Sequence, residues 1–260
     1  MEFALENVLL MPIGMLFAGF ASLVGIGGGL LWAPYFILIR GFDPQQAVIY
    51  SFLLQCVGMA SATFVNIRSK KIFWNLALRV IPFVLVGVFV GSFLNQRVAQ
   101  PQVLQRILGI VCLVISIIFA FHAERYDESM QLDTSIRPPF KMRFITMGFG
   151  SLSGLLSIGV SDFLVPMFRG WLKIPMHYAI GTSLFLNACI ALTGGSFNLF
   201  LSSQPLNMEM LQILVFGWIG VVIGGQLGTR LMHIIDEAKV KEIFIFVLLM
   251  MGIHLIYKSL

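Results

Sequence analysis

The sequence predicts an all-α polytopic membrane protein made of two inverted repeats, each a glycine-broken re-entrant hairpin followed by three transmembrane helices. Hydrophobic residues make up 58% of the 260 residues and charged residues only 11%. The mean hydropathy of +0.92 lies far outside the range of soluble domains. Apolar runs of membrane-spanning length recur along the chain, which is typical of helices and not of a β-barrel. The two halves of the chain also resemble each other.

The charged residues, cysteines and histidines argue against several classes of function. The basic residues behind the net charge of +5 lie in short loops, so they indicate membrane orientation, and we expect no nucleic-acid partner. The three cysteines lie inside apolar runs, and the four histidines are far apart in the sequence. Neither set has the spacing of metal ligands, so we expect no metal and no cofactor. The expected partners are the lipid bilayer and a small solute.

Eight apolar blocks follow one another along the chain. They span 8–39, 46–66, 73–94, 103–121, 143–171, 178–201, 209–229 and 243–257. As one helix the first block would be about 48 Å long, against a hydrocarbon core of about 30 Å. This block must therefore fold back on itself.

A polar connector, 122–142, separates a first repeat, 1–121, from a second repeat, 143–260. A shift of 132 residues aligns SLVGIGGGLLWAP (22–34) with GLLSIGVSDFLVP (154–166). The same shift aligns AVIYSFLLQ (47–55) with AIGTSLFLN (179–187), and GVFVGSFLNQR (87–97) aligns with GVVIGGQLGTR (220–230) at one residue more. Because the matches keep their order, an internal duplication is the best explanation.

Charge placement indicates that the repeats are inverted. Eight simple crossings would place eight basic residues on each side of the membrane, against the usual cytoplasmic excess. If the first block of each half enters and returns on one side, the division becomes twelve against four, the four being Arg40, Arg97, Arg106 and Lys258. We therefore expect a multi-pass protein of the cytoplasmic (inner) membrane, with a cytoplasmic connector and both termini outside.

The glycine cluster of the first hairpin is a candidate binding site. Glycine adopts positive φ at no steric cost, so Gly25 and Gly27–Gly29 can turn the chain at membrane depth. Irregular backbone there is tolerated only inside protein or beside a cavity. A helix that begins after the turn points its free amides at that cavity, which favours an anion. The alternative is close helix packing, which we prefer for Gly87, Gly91, Gly220 and Gly224.

These residues carry a resemblance that covers essentially the whole chain. The GIGGGxxxxP element from Gly25, its repeat IGVSDFLVP at 158–166, the Gly181–Ser183 triplet and the four-plus-four duplication resemble the sulfite exporter TauE/SafE family of bacterial permeases. The resemblance implies secondary transport of a small sulfur–oxygen or organosulfonate anion, such as sulfite, across the cytoplasmic membrane. With inverted repeats, the expected mechanism is alternating access around a site formed by the two hairpin tips.

The second motif departs from the family pattern, which usually repeats the glycine cluster. Here Gly159, Val160, Ser161 and Asp162 stand where the first repeat has three glycines and Leu30. An ionised aspartate would repel an anion, so Asp162 is either protonated in its apolar setting or serves a cation. A protonated Asp162 would be a candidate for proton coupling. The structural alternatives are a helix cap and a partner for a basic group.

Polar residues at matched repeat positions complete the predicted site. Ser51 matches Ser183, and Gln55 matches Asn187. They line a cavity or form interhelical hydrogen bonds. The hydroxyls of Ser157, Ser161 and Thr182 can donate to a sulfur–oxygen anion or to their own helix. The predicted substrate-binding residues are thus Gly27, Gly28, Gly29, Ser51, Gln55, Gly159, Ser161, Thr182, Ser183 and Asn187.

Arg79 is the remaining charged candidate, about 10 Å inside its apolar block. It is expected to pair with Asp162, to meet the substrate, or to reach the cytoplasmic interface along its aliphatic stem.

Two other functions are weighed against a carrier. An anion channel also uses re-entrant tips. An intramembrane hydrolase is disfavoured, because GSLSG (150–154) has Leu152 where a nucleophile is needed and no histidine lies in a deep position to act as base. We therefore expect no enzymatic activity.

Overall fold

A computed structural model of the protein describes residues 6–24, 28–98, 100–121, 138–202, 208–231 and 237–259. These residues form helices and short connections, with no strand among them. The helices are α1 Leu10–Val24, α2 Gly29–Leu38, α3 Pro44–Arg68, α4 Trp74–Arg97, α5 Pro101–Phe121, α6 Phe140–Leu156, α7 Ser161–Leu172, α8 Met176–Leu201, α9 Met208–Leu231 and α10 Glu237–Lys258. Most of the predicted connector, 122–137, lies outside the described residues.

Seven of the described helices are long and apolar enough to cross a membrane. They cover Glu6–Leu23, Pro44–Arg68, Trp74–Arg97, Pro101–Phe121, Met176–Leu201, Met208–Gly228 and Lys239–Lys258. The prediction of an all-α polytopic membrane protein is confirmed. The first and fifth apolar blocks are each broken into two helices, α1 with α2 and α6 with α7.

The most extensive helix contacts join a helix of one half to a helix of the other. Helix α1 of the first half packs most extensively on α9 of the second, and α6 of the second packs in the same way on α4 of the first. Helix α3 packs on its repeat equivalent α8, and α5 packs on its equivalent α10. The main interfaces of the bundle therefore lie between the halves.

Helices α3 and α8 run antiparallel. Phe52, in the first part of α3, lies against Gly194 in the last part of α8. The backbone N–H of Phe73, which follows α3, donates to Thr182 Oγ1 near the start of α8 at 2.9 Å. The end of one helix thus lies beside the start of the other.

Helices α5 and α10 are antiparallel as well. Near the start of α5, Gln105 Nε2 donates to the carbonyl oxygen of Leu255 near the end of α10, at 3.1 Å. At the other end, the rings of Phe119 and Phe244 meet edge to face with centroids 6.2 Å apart. Both pairs of equivalent long helices therefore run in opposite directions.

A polar network shows that the first hairpin enters and leaves at the same end of the bundle. Arg40, after α2, forms an ion pair with Glu6 at 3.2 Å and donates to Asn7 Oδ1 at 2.9 Å, both residues lying before α1. At this end Lys258 Nζ, at the end of α10, donates to the carbonyl oxygen of Ile37 in α2 at 3.2 Å. The start of α1 and the end of α10 therefore share one end of the bundle.

Close helix contacts explain four glycines outside the hairpin tips, as predicted. A Cβ added at Gly87 or Gly91 of α4 would collide with backbone carbonyl oxygens of α6. A Cβ added at Gly220 or Gly224 of α9 would collide in the same way with carbonyl oxygens of α1. Small residues at these positions let the helix backbones approach each other, which strengthens packing inside a membrane.

Candidate functional site

The tip of the first hairpin lies between α1 and α2. Gly28 precedes α2, and its carbonyl oxygen accepts bonds from the N–H groups of Leu31 at 3.1 Å and Trp32 at 3.2 Å. No side chain caps the start of α2. The predicted site residue Gly27 lies outside the described residues, whereas Gly28 and Gly29 are both buried.

The tip of the second hairpin begins at Ser157, which ends α6 in the left-handed region at φ 58°. Its N–H donates to the Ser153 carbonyl oxygen at 2.7 Å, and the Ser153 hydroxyl donates to the carbonyl oxygen of Ile158. Residue 157 aligns with Gly25 of the first repeat, a residue type that adopts this conformation without strain. Helix α7 then starts at Ser161, again without a side-chain cap.

The two tips meet each other inside the protein. A Cβ added at Gly29 would collide with the carbonyl oxygen of Ser157 and with the amide of Gln55. A Cβ added at Gly28 would find only ordinary contacts, the nearest being the Met59 methyl at 3.7 Å. Glycine is therefore needed at position 29 by the approach of the other tip, and not at position 28.

Ser51 and Gln55 of α3 bind the second tip. Gln55 Nε2 lies 2.7 Å from Ser157 Oγ, 2.9 Å from the Ser157 carbonyl oxygen and 3.1 Å from Ser51 Oγ, and its two hydrogens are shared among these acceptors. The Ser157 hydroxyl in turn donates to Ser51 Oγ at 3.1 Å. All three side chains are buried. The predicted residues Ser51 and Gln55 are thus brought to the tips.

Asn187 of α8 binds the same tip from the other side. Its Oδ1 accepts from the N–H of Val160 at 3.0 Å, and its Nδ2 donates to Ser161 Oγ at 3.1 Å. Gly159, also buried, accepts a weak bond of 3.3 Å from the N–H of Asp162. Gln55 and Asn187 lie near the middle of α3 and α8, so the tips meet at the mid-length of these two helices.

The Gly181–Ser183 triplet contacts the α3–α4 connection. Thr182 Oγ1 accepts the bond from the Phe73 N–H, and a Cβ added at Gly181 would collide with the carbonyl oxygen of Lys71. The Ser183 hydroxyl donates to the Ile180 carbonyl oxygen of its own helix at 2.9 Å. The structure places this triplet at the contact between α8 and the α3–α4 connection, and it does not bring Thr182 to the tips.

Asp162 lies in the first turn of α7 and is buried, with 3% of its surface exposed. The N-cap position of α7 belongs to Val160, so Asp162 is not the cap. A carboxylate in the first turn interacts favourably with the helix dipole.

Arg79 is remote from the tips along the bundle. Helices α4 and α6 run side by side, with Val84 against Gly150 and Val88 against Gly154. Arg79 is therefore level with residue 145, about 18 Å along α6 from the tip at Ser157. A direct ion pair with Asp162 would need the charged atoms within about 4 Å. The structure does not bring these two residues together.

The donors at the tips are neutral. The groups that form the hydrogen bonds described above are hydroxyls, carboxamides and backbone amides. Within the described ranges no group of three or more His, Cys, Asp or Glu side chains could hold a metal ion. Hydroxyl groups, carboxamides and helix N-termini are chemically able to stabilise an anion.

The model of the sulfite exporter TauE/SafE family matches residues 10–255. The chain belongs to this family. It is similar to the probable membrane transporter protein YunE of Bacillus subtilis, 23% identical over 97% of this chain and 98% of the relative. It is also similar to the probable membrane transporter protein YfcA of Escherichia coli K12, 26% identical over 95% of this chain and 90% of the relative.

A third relative of this TauE/SafE chain matches a shorter stretch. It is the sulfite exporter TauE/SafE family protein 3 of Arabidopsis thaliana, 32% identical over 42% of this chain and 24% of the relative. No solved structure matches the chain significantly.

The hydroxyl of Ser157 was a candidate in the sequence of this TauE/SafE chain. Its contact with the other half of the chain was not predicted. The available signal was its alignment with Gly25, which marks a serine at a position where the first repeat uses a turn-forming glycine. A polar residue at such a position lies at a hairpin tip, where the other half of the chain can bind it.

Proposed function

We propose that the chain is a secondary transporter that moves a small anion across the cytoplasmic membrane by alternating access. The anion class is a sulfur–oxygen or organosulfonate compound such as sulfite, as the family name indicates. One observation carries the proposal. The tips of two broken hairpins, one from each half, meet in a buried polar cluster at the mid-length of α3 and α8.

The chemistry of this cluster supports an anion. Both α2 and α7 begin there, so the positive ends of two helix dipoles lie in one region. The hydroxyls of Ser51 and Ser161 and the carboxamides of Gln55 and Asn187 add neutral donors. Such donors can replace the hydration shell of an oxyanion without a fixed positive charge.

The direction of the helices supports alternating access. Equivalent helices α3 and α8 pack antiparallel, as do α5 and α10. This arrangement is the one expected of inverted repeats, in which rocking of one half against the other exposes a central site to each side in turn.

The basic residues support the proposed orientation in the inner membrane. Arg68 ends α3, and Lys70 and Lys71 lie between α3 and α4, at the end of the bundle opposite Arg40 and Lys258. With the cytoplasm at the more basic end, both termini are outside.

Asp162 is our candidate for proton coupling. It is buried beside the tips, where a carboxyl that binds and releases a proton could link proton movement to the movement of an anion. In proteoliposomes, Asp162→Asn should retain exchange of internal for external substrate but lose uptake driven by a pH gradient. Full pH-driven uptake by this variant would rule out the coupling role.

The direct test of the proposed function is uptake of radiolabelled sulfite into proteoliposomes under an imposed pH gradient, with unlabelled sulfate, thiosulfate and taurine as competitors. Saturable uptake that only some competitors block, and that empty liposomes lack, would support the substrate class. Accumulation of sulfite beyond its electrochemical equilibrium would distinguish a carrier from an anion channel, since a channel cannot move its solute against an electrochemical gradient. No flux above empty liposomes would reject sulfite as the substrate.

A further inference from the structure

Gln55 and Ser51 join the two halves of the chain at the tips, and Gln55 makes the shorter bonds. Gln55 belongs to α3 of the first half, and both of the Ser157 oxygens that it binds, at 2.7 and 2.9 Å, belong to the second half. The two residues are 102 positions apart in the sequence. Both are buried, and buried amides that lose their acceptors are costly to leave unbonded.

Asn187 of the second repeat aligns with Gln55 and is shorter by one methylene group. Among the described residues it binds Val160 and Ser161 of its own half, while Gly25, the repeat equivalent of Ser157, lies outside the described residues.

The contact at Gln55 closes the space between the tips. Gly29 lies so close to Ser157 and Gln55 that not even a methyl group fits between them. A solute can pass this point only if the bonds between Gln55 and Ser157 break. In the conformation described, the tips are therefore shut against each other at this position.

We propose that Gln55 is a latch, a positioning residue that holds the tip of the second hairpin against the first and must release it before the tips separate. The proposal rests on the proposed function, because separation of the tips is the movement that alternating access requires. It assigns Gln55 a role in the conformational equilibrium of the protein, beyond lining a cavity for the substrate.

The first test is a double-mutant cycle on the thermal unfolding of the purified full chain in detergent. Its variants are Gln55→Asn, Ser157→Gly and the double variant; glycine removes the Ser157 hydroxyl and accepts the left-handed conformation of residue 157. We expect Ser157→Gly to lower the unfolding temperature less in the Gln55→Asn background than in the wild type, because the bond is already lost there.

Gln105→Asn supplies the matched control cycle. Gln105 donates to the Leu255 carbonyl oxygen at the Lys258 end of the bundle, remote from the tips, so its effect and that of Ser157→Gly should add. Additive effects for the Gln55 pair, equal to those of the control pair, would overturn the latch.

The second test measures the opening of the tips without measuring transport. Cys56 follows Gln55 and packs against the cluster that contains Val160 of the second tip, whereas Cys112 is fully buried in α5. In Gln55→Asn we expect faster alkylation of Cys56 by a small thiol reagent, followed by peptide mass spectrometry, with Cys112 unchanged in the same sample. An unchanged rate at Cys56 would overturn the latch.

Neither test uses sulfite, so the two proposals can fail separately. Coupling between Gln55 and Ser157 in a protein that moves no sulfite would retain the latch and reject the substrate. Saturable sulfite flux with additive variants would retain the transporter and reject the latch.

Discussion

Gly28 and Gly29 are neighbours in the sequence, but only Gly29 lacks room for a side chain. We expect Gly29→Ala to force the tips apart, lowering the stability of the folded protein by about 1–3 kcal/mol, the usual cost of overpacking. Gly28→Ala should behave like the wild type, because its Cβ meets only ordinary contacts. Thermal unfolding of the purified variants in detergent measures both.

Equal unfolding temperatures for the two glycine variants would contradict the close contact between Gly29 and Ser157. The comparison is well matched, since both changes add one methyl group at the start of the same helix.

Part of the candidate site could be predicted from single residues. Ser51, Gln55 and Asn187 stood out because polar groups recur at equal positions of the two repeats, and the structure brings all three to the second tip. Thr182 was predicted from its hydroxyl alone, and that hydroxyl binds the N–H of Phe73, which is 109 residues away. Nothing in the local pattern identifies a partner at that distance.

At the scale of helices, two glycines of α6, Gly148 and Gly150, allow the effect of helix packing to be measured apart from the effect of helix propensity. A Cβ added at Gly150 would collide with the carbonyl oxygen of Val84 in α4, whereas a Cβ at Gly148 meets nothing within 4 Å. We expect Gly150→Ala to destabilise the fold by about 1–3 kcal/mol. Gly148→Ala should be neutral or stabilising, because alanine favours the helix by about 1 kcal/mol over glycine.

The measurement is again the unfolding temperature in detergent, now with sulfite uptake in proteoliposomes as a second readout. A Gly150→Ala protein as stable as Gly148→Ala would show that α4 and α6 do not approach each other as described.

The helices themselves were largely predictable from the sequence. The eight apolar blocks correspond to the described helices, and the two blocks that contain Pro34 and Pro166 are the ones that break. For the first block the break was predicted, because one helix of that length would exceed the thickness of the hydrocarbon core. The bounds of the predicted repeats, 1–121 and 143–260, stay a prediction, although α6 begins at Phe140, within the last residues of the predicted connector.

For the whole molecule, the orientation in the membrane can be tested directly. A reporter that is active only in the cytoplasm should be inactive when fused after Leu260 and active when inserted in the connector, 122–142. The reason is the excess of basic residues at the connector's end of the bundle. Activity of the C-terminal fusion alone would reverse the orientation, and activity of both fusions would exclude an odd number of crossings between them.

The pairing of helices could not be predicted from the sequence. Hydrophobic periodicity indicates where an apolar helix lies. Inside a membrane most faces of a helix are apolar, so the sequence does not identify the helix against which each face packs. The exchange in which α1 packs on α9 and α6 packs on α4 therefore became visible only in three dimensions. Antiparallel packing of the repeat equivalents was expected from the charges alone.

The same exchange sets an order for biosynthesis. Helix α1 ends at Val24, but its principal partner α9 begins at Met208. The ribosome therefore produces nearly the whole chain before the first hairpin can complete its packing. During this interval, the glycines that later contact α9 face lipid or the insertion machinery. The second hairpin has no such delay, because α4 is already in the membrane when α6 emerges. The second hairpin of this protein thus completes its packing before the first, although the first is synthesised earlier.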